Sequence, residues 1–535
     1  MKNLLSLVLA SMISVVSSAG SIYYVSPDGT DDAACTYDNP GSISAALALA
    51  SPADSWEDGD TIIFREGKYS IPTKGQAVTY TINKPFLTLR SENNSPERTM
   101  LVGGYTNSPG RGFDITGPVF IGGIAFTNFA SCYSGIVLNC KKSDEGGATV
   151  SNCVFVNNLG YIYSSSKSRY GTAVGGAYYD CSFMNNTNDA YSLGGAGVIS
   201  GVAVNCKFLH NRSNQGAAIM NTSATNCFFY GNSTTYTVAS SGGAAYFTTT
   251  GKLYRCSFIA NYASGTGGAV SASGDVFAEN CDFICNTNSK PGGAAIAGVS
   301  TLNCRFEGNK GWSSSAGIIS GGSHTNAVAI GNKGNQGLFS GEYYDCYLGT
   351  NTGYYIFTDF KGYRCHIDNN TSTYSTLYSG GPLINCLITS NSMVKTKPFC
   401  GLTSINCTYV GNIPNSNYGA MSEGVSTNCI FWGSNKNDLT GGTHTAAYYG
   451  KASADAIVTN QCAVITEAPF VYDKNPEAPY TPKLNSPVVN SGISVDSEIL
   501  LEKDFYGMRR IRNGVIDIGC AERYPRYLPS VMKVR

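Results

Sequence analysis

Short bursts of alternating apolar and polar residues recur along the chain, separated by Gly, Asn, Ser and Thr rather than by helix-forming stretches. Asn303-Cys304-Arg305-Phe306-Glu307 is the plainest: Cys304 and Phe306 share one face of an extended segment, while Asn303, Arg305 and Glu307 share the other. A period of two over so few residues predicts a half-buried strand with its Cys and Phe positions turned into the core.

The phrase repeats as Asn, Asp or Arg, then Cys, a variable residue, Phe or another large apolar residue, two variable residues, and Asn. It begins at Cys153 with Asn158 and returns at Cys181, Cys206, Cys227, Cys256, Cys281, Cys304, Cys346, Cys365, Cys386 and Cys407, each with Asn five residues on. Cys429 opens another copy with Ser434 in the Asn slot. Successive cysteines of this set lie 19 to 29 residues apart, except for a step of 42 between Cys304 and Cys346. That gap predicts a hidden copy, and Ala327, Ala329 and Asn332 fill its three slots. Ile124 and Phe126 supply a first copy, giving fourteen between residues 124 and 429 at about 23 residues each. A second phrase, as in Gly242-Gly243-Ala244, Gly267-Gly268-Ala269 and Gly292-Gly293-Ala294, precedes several of the cysteines. Each repeat therefore carries at least two short strands with turns between them.

One such unit cannot bury its own apolar face, so units must stack as rungs about 4.8 Å apart. The fold class expected is all-β: a right-handed parallel β-helix, a single-stranded solenoid of about fourteen rungs with N- and C-terminal caps. The expected divisions are 1–19 signal peptide, 20–120 N-terminal cap and first turns, 121–435 repeats, and 436–535 last turns and closing cap. Stacking superposes equal slots, giving internal Cys and Phe columns and an Asn column at a turn, where side-chain amides can bond from rung to rung.

Composition narrows the function. Charged residues make up 13% of the chain and balance at 36 basic against 36 acidic, so no field draws in phosphate backbones and nucleic acid is not an expected partner. Met1-Lys2-Asn3, an apolar run from Leu4 to Val16 and Ser17-Ser18-Ala19 have the three parts of a secretory signal cleaved after Ala19. No later stretch is apolar enough for a membrane helix, so no integral membrane segment is expected after cleavage. The expected location is secreted, or at the cell surface in association with the outer membrane of a Gram-negative bacterium. Nineteen cysteines in an exported chain suggest disulfides. A column of one residue type on one face, however, neither converges tetrahedrally on a metal nor suits the disulfide dihedral. Small buried thiols acting as hydrophobes is the favoured reading, and no metal or other cofactor is expected from them.

The repeats resemble those of the polymorphic outer membrane protein family, with Gly267-Gly268-Ala269-Val270 and Gly292-Gly293-Ala294 set beside Phe258-Ile259-Ala260-Asn261 and Phe283-Ile284-Cys285-Asn286. That resemblance implies a surface-displayed, adhesive β-helix. The ends resemble the broad pectin-lyase-like group of secreted bacterial β-helix proteins. Tyr23 to Thr30, Ala45 to Ala50, Gly59 to Phe64 and Gly67-Lys68-Tyr69 match its opening segment; Leu484 to Gly492, Asp504 to Gly507, Arg510, Val515 to Gly519 and Glu522 match its closing one. Enzymes of that group use clustered carboxylates on an outer face, often with calcium and a nearby Arg or Lys.

Read as columns, the outer slots here bring Asp282 beside Arg305, and Asp345 beside Arg364 and His366, each readable as an ion pair between neighbouring rungs. The four histidines, His210, His324, His366 and His444, are too scattered to nominate a triad or a metal site. A Tyr-rich insertion with Tyr161, Tyr163, Lys167, Arg169 and Tyr170, followed by Tyr178 and Tyr179, is a candidate binding surface for a sugar or protein partner, or an ordered loop over the solenoid. The leading expectation is a non-enzymatic exported solenoid that binds a surface glycan or partner protein, with no catalytic residue nominated. The alternative is a polysaccharide lyase or glycoside hydrolase on the same scaffold, in which case Ca2+ enters. A purely structural surface component is a third reading, because a fold does not fix a function.

Overall fold

A computed structural model describes residues 20–71, 79–104, 112–131, 136–141, 146–160, 171–188, 195–235, 240–312, 316–335, 337–373, 378–394, 399–414, 418–459, 461–471, 477–496, 502–511 and 514–523. The proposed signal segment lies outside them. One turn of the coil can be followed from Ser257. Strand Ser257–Ile259 is followed by Asn261 and strand Tyr262–Ala263, then by Gly267-Gly268 and strand Val270–Glu279, which returns to Cys281. Each strand pairs in parallel with its counterpart one repeat later, as in Phe258↔Phe283↔Phe306. The molecule is a parallel β-helix with a long wall, a phenylalanine wall and a short wall.

Among the described residues the phenylalanine wall holds eighteen strands, from Gly67–Ser70 to Ala463–Val464. The fourteen repeats expected are thus correct as phrases but short as a rung count. Two rungs precede them and two follow, with sequences that lack the full phrase. At the start, strand Ile22–Thr30 pairs with Thr61–Phe64 and helix Ile43–Leu49 buries Ile43, Ala45 and Ala46. Ser42 caps that helix by accepting the Ala45 amide at 3.0 Å.

Three columns hold the rungs together. Phe126, Phe155, Phe183, Phe208, Phe229, Phe258, Phe283 and Phe306 form a nearly parallel ring stack with centroids 4.4 to 5.1 Å apart. Beside them runs a buried amide ladder from Asn158 to Asn412, with Nδ2 to Oδ1 distances of 2.9 to 3.1 Å. Asn232 is representative: its Nδ2 donates to Asn261 Oδ1 at 3.0 Å and to the Phe208 carbonyl at 2.9 Å, and Asn261 Oδ1 also accepts the Asn232 amide. Every polar atom of the column is matched, which is what lets asparagine sit at zero exposure.

The cysteine column is one of small buried free thiols, as expected, with hydrogen bonds added. All described cysteines are free, and those of the column are hydrogen-bonded. Cys281 Sγ accepts the Cys256 amide at 3.4 Å and donates to the carbonyl of Glu279 at 3.3 Å, and the same pattern recurs up the column. Burial pushes the Cys346, Cys386 and Cys429 thiols well above their ordinary range, so they stay protonated.

The residue before each cysteine adopts a left-handed conformation, as at Asn280 (φ 54°), Asn303 (φ 53°), Asp345 (φ 55°) and Arg364 (φ 51°). This turn explains why Asn and Asp lead the phrase. Glycine is needed where rungs nearly touch: a Cβ on Gly268 would fall 2.0 Å from the Ala294 carbonyl oxygen.

The hidden repeat is present, with Ala329 between Phe306 and Leu348 and Asn332 in the ladder. Where the ring stack stops at Ala329, the long wall supplies rings instead: His324 packs on Tyr343 at 4.6 Å, and Tyr343 on Phe360 at 4.5 Å. His324 and His444, scattered by position in the chain, occupy matching inward sites. Nδ1 of each meets a hydroxyl of the rung before, Thr301 at 3.0 Å or Ser426 at 2.9 Å, and Nε2 meets the carbonyl of Gly321 or Gly441.

Burial holds His324 down to about 4, with the Gly321 contact opposing it. Its unfolded imidazole takes a proton near pH 6.5 and its folded one does not, so stability is level above that pH and falls as pH drops from about 6.5 toward 4. Urea unfolding at pH 7 and pH 4.5 should show the loss, and His324→Gln should flatten its share of it.

Candidate functional site

A hydrogen-bonded polar grouping lies on the outside of the rungs of Cys346 and Cys365. Asp345 and Arg364 occupy the left-handed turn between the long and phenylalanine walls, so their side chains leave the rod at the same corner of successive rungs. They form a two-pronged pair, Nε to Oδ1 at 2.6 Å and Nη2 to Oδ2 at 2.7 Å, with only 21% and 19% of their side chains exposed. A fork held this way is fixed in direction, unlike most surface pairs. On its long-wall side, Tyr344 and Tyr363 stack in parallel at 4.7 Å, and Lys361 Nζ meets Glu342 at 2.9 Å.

On the other side, Tyr347 and His366 are register partners. The Tyr347 hydroxyl donates to Asp368 Oδ2 at 3.1 Å, the Thr389 hydroxyl donates to Asp368 Oδ1 at 2.6 Å, and His366 Nε2 meets Thr389 Oγ1 at 2.9 Å. With the Thr389 proton committed to the carboxylate, the imidazole must donate through Nε2. Burial lowers the His366 pKa, with Asp368 opposing, and raises Tyr347 to about 12. The outer side of this strand thus presents a rigid guanidinium at its start, a carboxylate oriented by two hydroxyls at its end, and phenol edges. Such a set can exchange hydrogen bonds with a hydroxyl-rich ligand.

The second expected pair forms differently. Strand register sets Asp282 beside Arg305, yet Arg305 Nη2 reaches Glu307 at 2.5 Å instead. The short Asp282 side chain stays near the wall, where burial raises its pKa and Arg305 opposes, while the long Arg and Glu side chains meet farther out. Tyr161, Tyr163, Lys167, Arg169 and Tyr170 lie outside the described residues. Tyr178 points inward and is fully buried with its hydroxyl 3.9 Å from Cys140 Sγ, whereas Tyr179 is 38% exposed. Among the described residues, no group of three or more His, Cys, Asp or Glu is placed to hold a metal ion, and no helix is long and apolar enough to cross a membrane.

Sequence reasoning missed the role of the closing segment, which does more than cover the end of the coil. It folds back along the outside of the phenylalanine wall. Ile518 packs with Ile430, the Cys520 amide donates to Thr408 Oγ1 at 2.9 Å, Cys520 and Ala521 pack on Leu387, and Phe505 sets its ring against His366 at 5.9 Å. The outward slots are apolar and buried at Leu387 and Ile430, but they are apolar also at Val154, Phe228 and Val328, so the slots alone did not mark where the cover lies.

No family model matches the chain, and no curated protein does. Among solved structures, a pectate lyase, Pel9A, aligns over 95% of this chain and 98% of its own at 16% identity and a TM-score of 0.24. A rhamnogalacturonan lyase aligns over 92% and 99% at 13% and 0.23. A family 6 alginate lyase, AlyGC, aligns over 78% of each chain at 11% and 0.33.

Proposed function

We propose that this chain is an exported, non-enzymatic binding rod, secreted or held at a bacterial cell surface, whose corner around Asp345, Arg364 and Asp368 takes a glycan. The observation that carries this reading is the fixed fork of Arg364 on Asp345 at one end of strand His366–Asp368, with the Asp368 carboxylate oriented by Tyr347 and Thr389 at its other end. Donor and acceptor are both pre-set at the two ends of the strand, so a run of sugar units lying along it can bind without first ordering the side chains that receive it. The flanking tyrosines add polar edges on flat rings, a surface suited to sugars.

A second reading, a carbohydrate-cleaving enzyme at the same corner, draws on the hydrogen-bonded run of His366, Thr389, Asp368 and Tyr347, which contains groups able to move protons. One experiment separates the two. The protein is run in affinity gels containing pectate, alginate or neutral polysaccharides, with and without calcium, and the same mixtures are assayed for new reducing ends and unsaturated products. The expected result is retardation by at least one polysaccharide, weakened roughly tenfold by Arg364→Ala or Asp368→Asn, with no product. Product that disappears in His366→Ala supports the enzyme instead, and no retardation by any polysaccharide overturns the glycan reading.

A further inference from the structure

The short wall carries a charge pattern unlike the balanced composition of the whole chain. From Phe283 to Gly341 the sequence holds Lys290, Arg305, Lys310 and Lys333 against a single carboxylate, Glu307. Glu307 lies on the phenylalanine wall and is taken by Arg305 at 2.5 Å. Lys310 and Lys333 stand just after the ladder residues Asn309 and Asn332, and they are register partners on successive rungs of the short wall. Neither forms an ion pair among the described residues. The same slot holds no Asp or Glu in any rung from Arg212 to Ser392. Stacking sets the two lysine backbones about 4.8 Å apart, and like charges directly opposite one another repel. An anion lying across both ammonium groups removes that repulsion.

An exposed ring stands at the same place. Trp312, two residues past Lys310 and therefore on the same outward face, is 59% exposed. Lys310 Nζ sits 3.4 Å from its ring centroid, and the Trp312 carbonyl accepts Asn335 Nδ2 at 3.4 Å from the rung of Lys333. The cation–π contact holds the ammonium beside the indole, so an anion on Lys310 brings the group that bears it close to the ring. A flat ring suits the face of a pyranose, and an ammonium suits its carboxylate. In a polymer one pyranose advances by about one rung height, roughly 5 Å, so a chain of uronate sugars running along the rod offers successive carboxylates to Lys310 and Lys333. The strands of this wall are two residues long, as at Thr287–Asn288, Lys310–Gly311 and Thr352–Gly353. That makes a rail the width of one polymer chain, narrower than a bilayer surface engages.

We propose that the short wall around Lys310, Lys333 and Trp312 binds an acidic polysaccharide built of uronate sugars. This face is on a different wall from the fork of Arg364 on Asp345, and the inference does not depend on what that corner binds.

Trp312 is one of three tryptophans in the chain, so the intrinsic fluorescence of the full protein reports on this face. Titration with oligogalacturonate in calcium-free buffer should change the emission at about 20 mM NaCl, and the apparent affinity should fall at least roughly tenfold at about 300 mM as the charges are screened. Lys310→Gln with Lys333→Gln should weaken the response roughly tenfold. Trp312→Phe should abolish the emission change, and Arg364→Ala should leave it as it is, which separates this face from the corner. The lysines and Trp312 point outward, so all variants should melt with the parent protein, and thermal melting checks this; should the double variant melt early, Lys333→Gln alone, with a smaller loss, takes its place. No emission change, a change indifferent to salt or to the lysines, or one lost in Arg364→Ala overturns the inference. So does an equal response to neutral dextran, to single-stranded DNA or to vesicles of anionic phospholipid.

Discussion

Replacing Asn261 with leucine should be among the most damaging single changes available in the rod. Leucine keeps the branched skeleton but puts methyl groups in place of the amide oxygen and nitrogen, so four hydrogen bonds are lost together. Asn232 Nδ2 and the Asn232 amide lose an acceptor, and the Phe229 carbonyl and Asn286 Oδ1 lose a donor. All sit at zero exposure beside the ring stack, where water cannot substitute. At about 0.5–1.5 kcal/mol for each of the four hydrogen bonds, the local cost is about 2–6 kcal/mol. Because each rung rests only on its neighbours, the loss should be concentrated there. Hydrogen exchange should accelerate at the amides of rungs 232 to 286 while those near Asn391 stay protected, and the urea midpoint should fall. Unchanged exchange at Asn232 would show that the ladder contributes little.

The second large effect is expected at the far end. Arg510 is fully buried in the closing segment. Its Nη2 donates to the carbonyls of Asp517 at 3.0 Å and Gly519 at 2.6 Å, and its Nη1 lies 3.2 Å from Glu522. Around it three carboxylates tie down the backbone: Asp504 accepts the amides of Met508 and Glu522, Asp517 those of Asn490 and Arg523, and Glu522 that of Asp517. Burial pushes Glu522 up to about 8, with Arg510 opposing it. Arg510→Met removes the balancing cation and should cost about 3–5 kcal/mol at neutral pH. The sign with pH follows from the raised acid. Its neutral form suits the fold, so stability falls as pH rises from the unfolded value of Glu through 8, and without Arg510 the deficit should widen from pH 5 to pH 9. Trp432 packs beside this segment, so its fluorescence should report an early transition in the variant that the rest of the rod does not share. A single late transition at pH 9 would count against this account.

Some features were readable because a coil repeats its geometry. Each slot of the phrase meets the same surroundings in every rung, so Cys281, Phe283 and Asn286 face what Cys256, Phe258 and Asn261 face, and the shared environment is written as a shared residue type. The hidden copy at Ala327 and Ala329 was legible through spacing alone, since a rung cannot be skipped without breaking the pairing of Arg305 with Val328. Asp345 and Arg364 were legible as neighbours for the same reason. What they do with His366, Asp368 and Thr389 was not, because Asp368 and Thr389 carry no mark of their own in the repeat and meet only through side-chain reach. Arg305 shows the same limit: register placed it beside Asp282, and side-chain length sent it to Glu307.

The amino-acid order by itself determined the coil, its three columns and the direction each strand residue faces, since these follow from a two-residue period and a repeat of about 23 residues. Tertiary structure decided which outward faces stay open. The closing segment shares no period with the repeats, and whether it lies over the end or folds back beside His366, Leu387 and Thr408 depends on contacts between residues roughly a hundred positions apart, as between Thr408 and Cys520. Local pattern carries no record of such contacts, because they follow from complementary surfaces and not from a repeated environment.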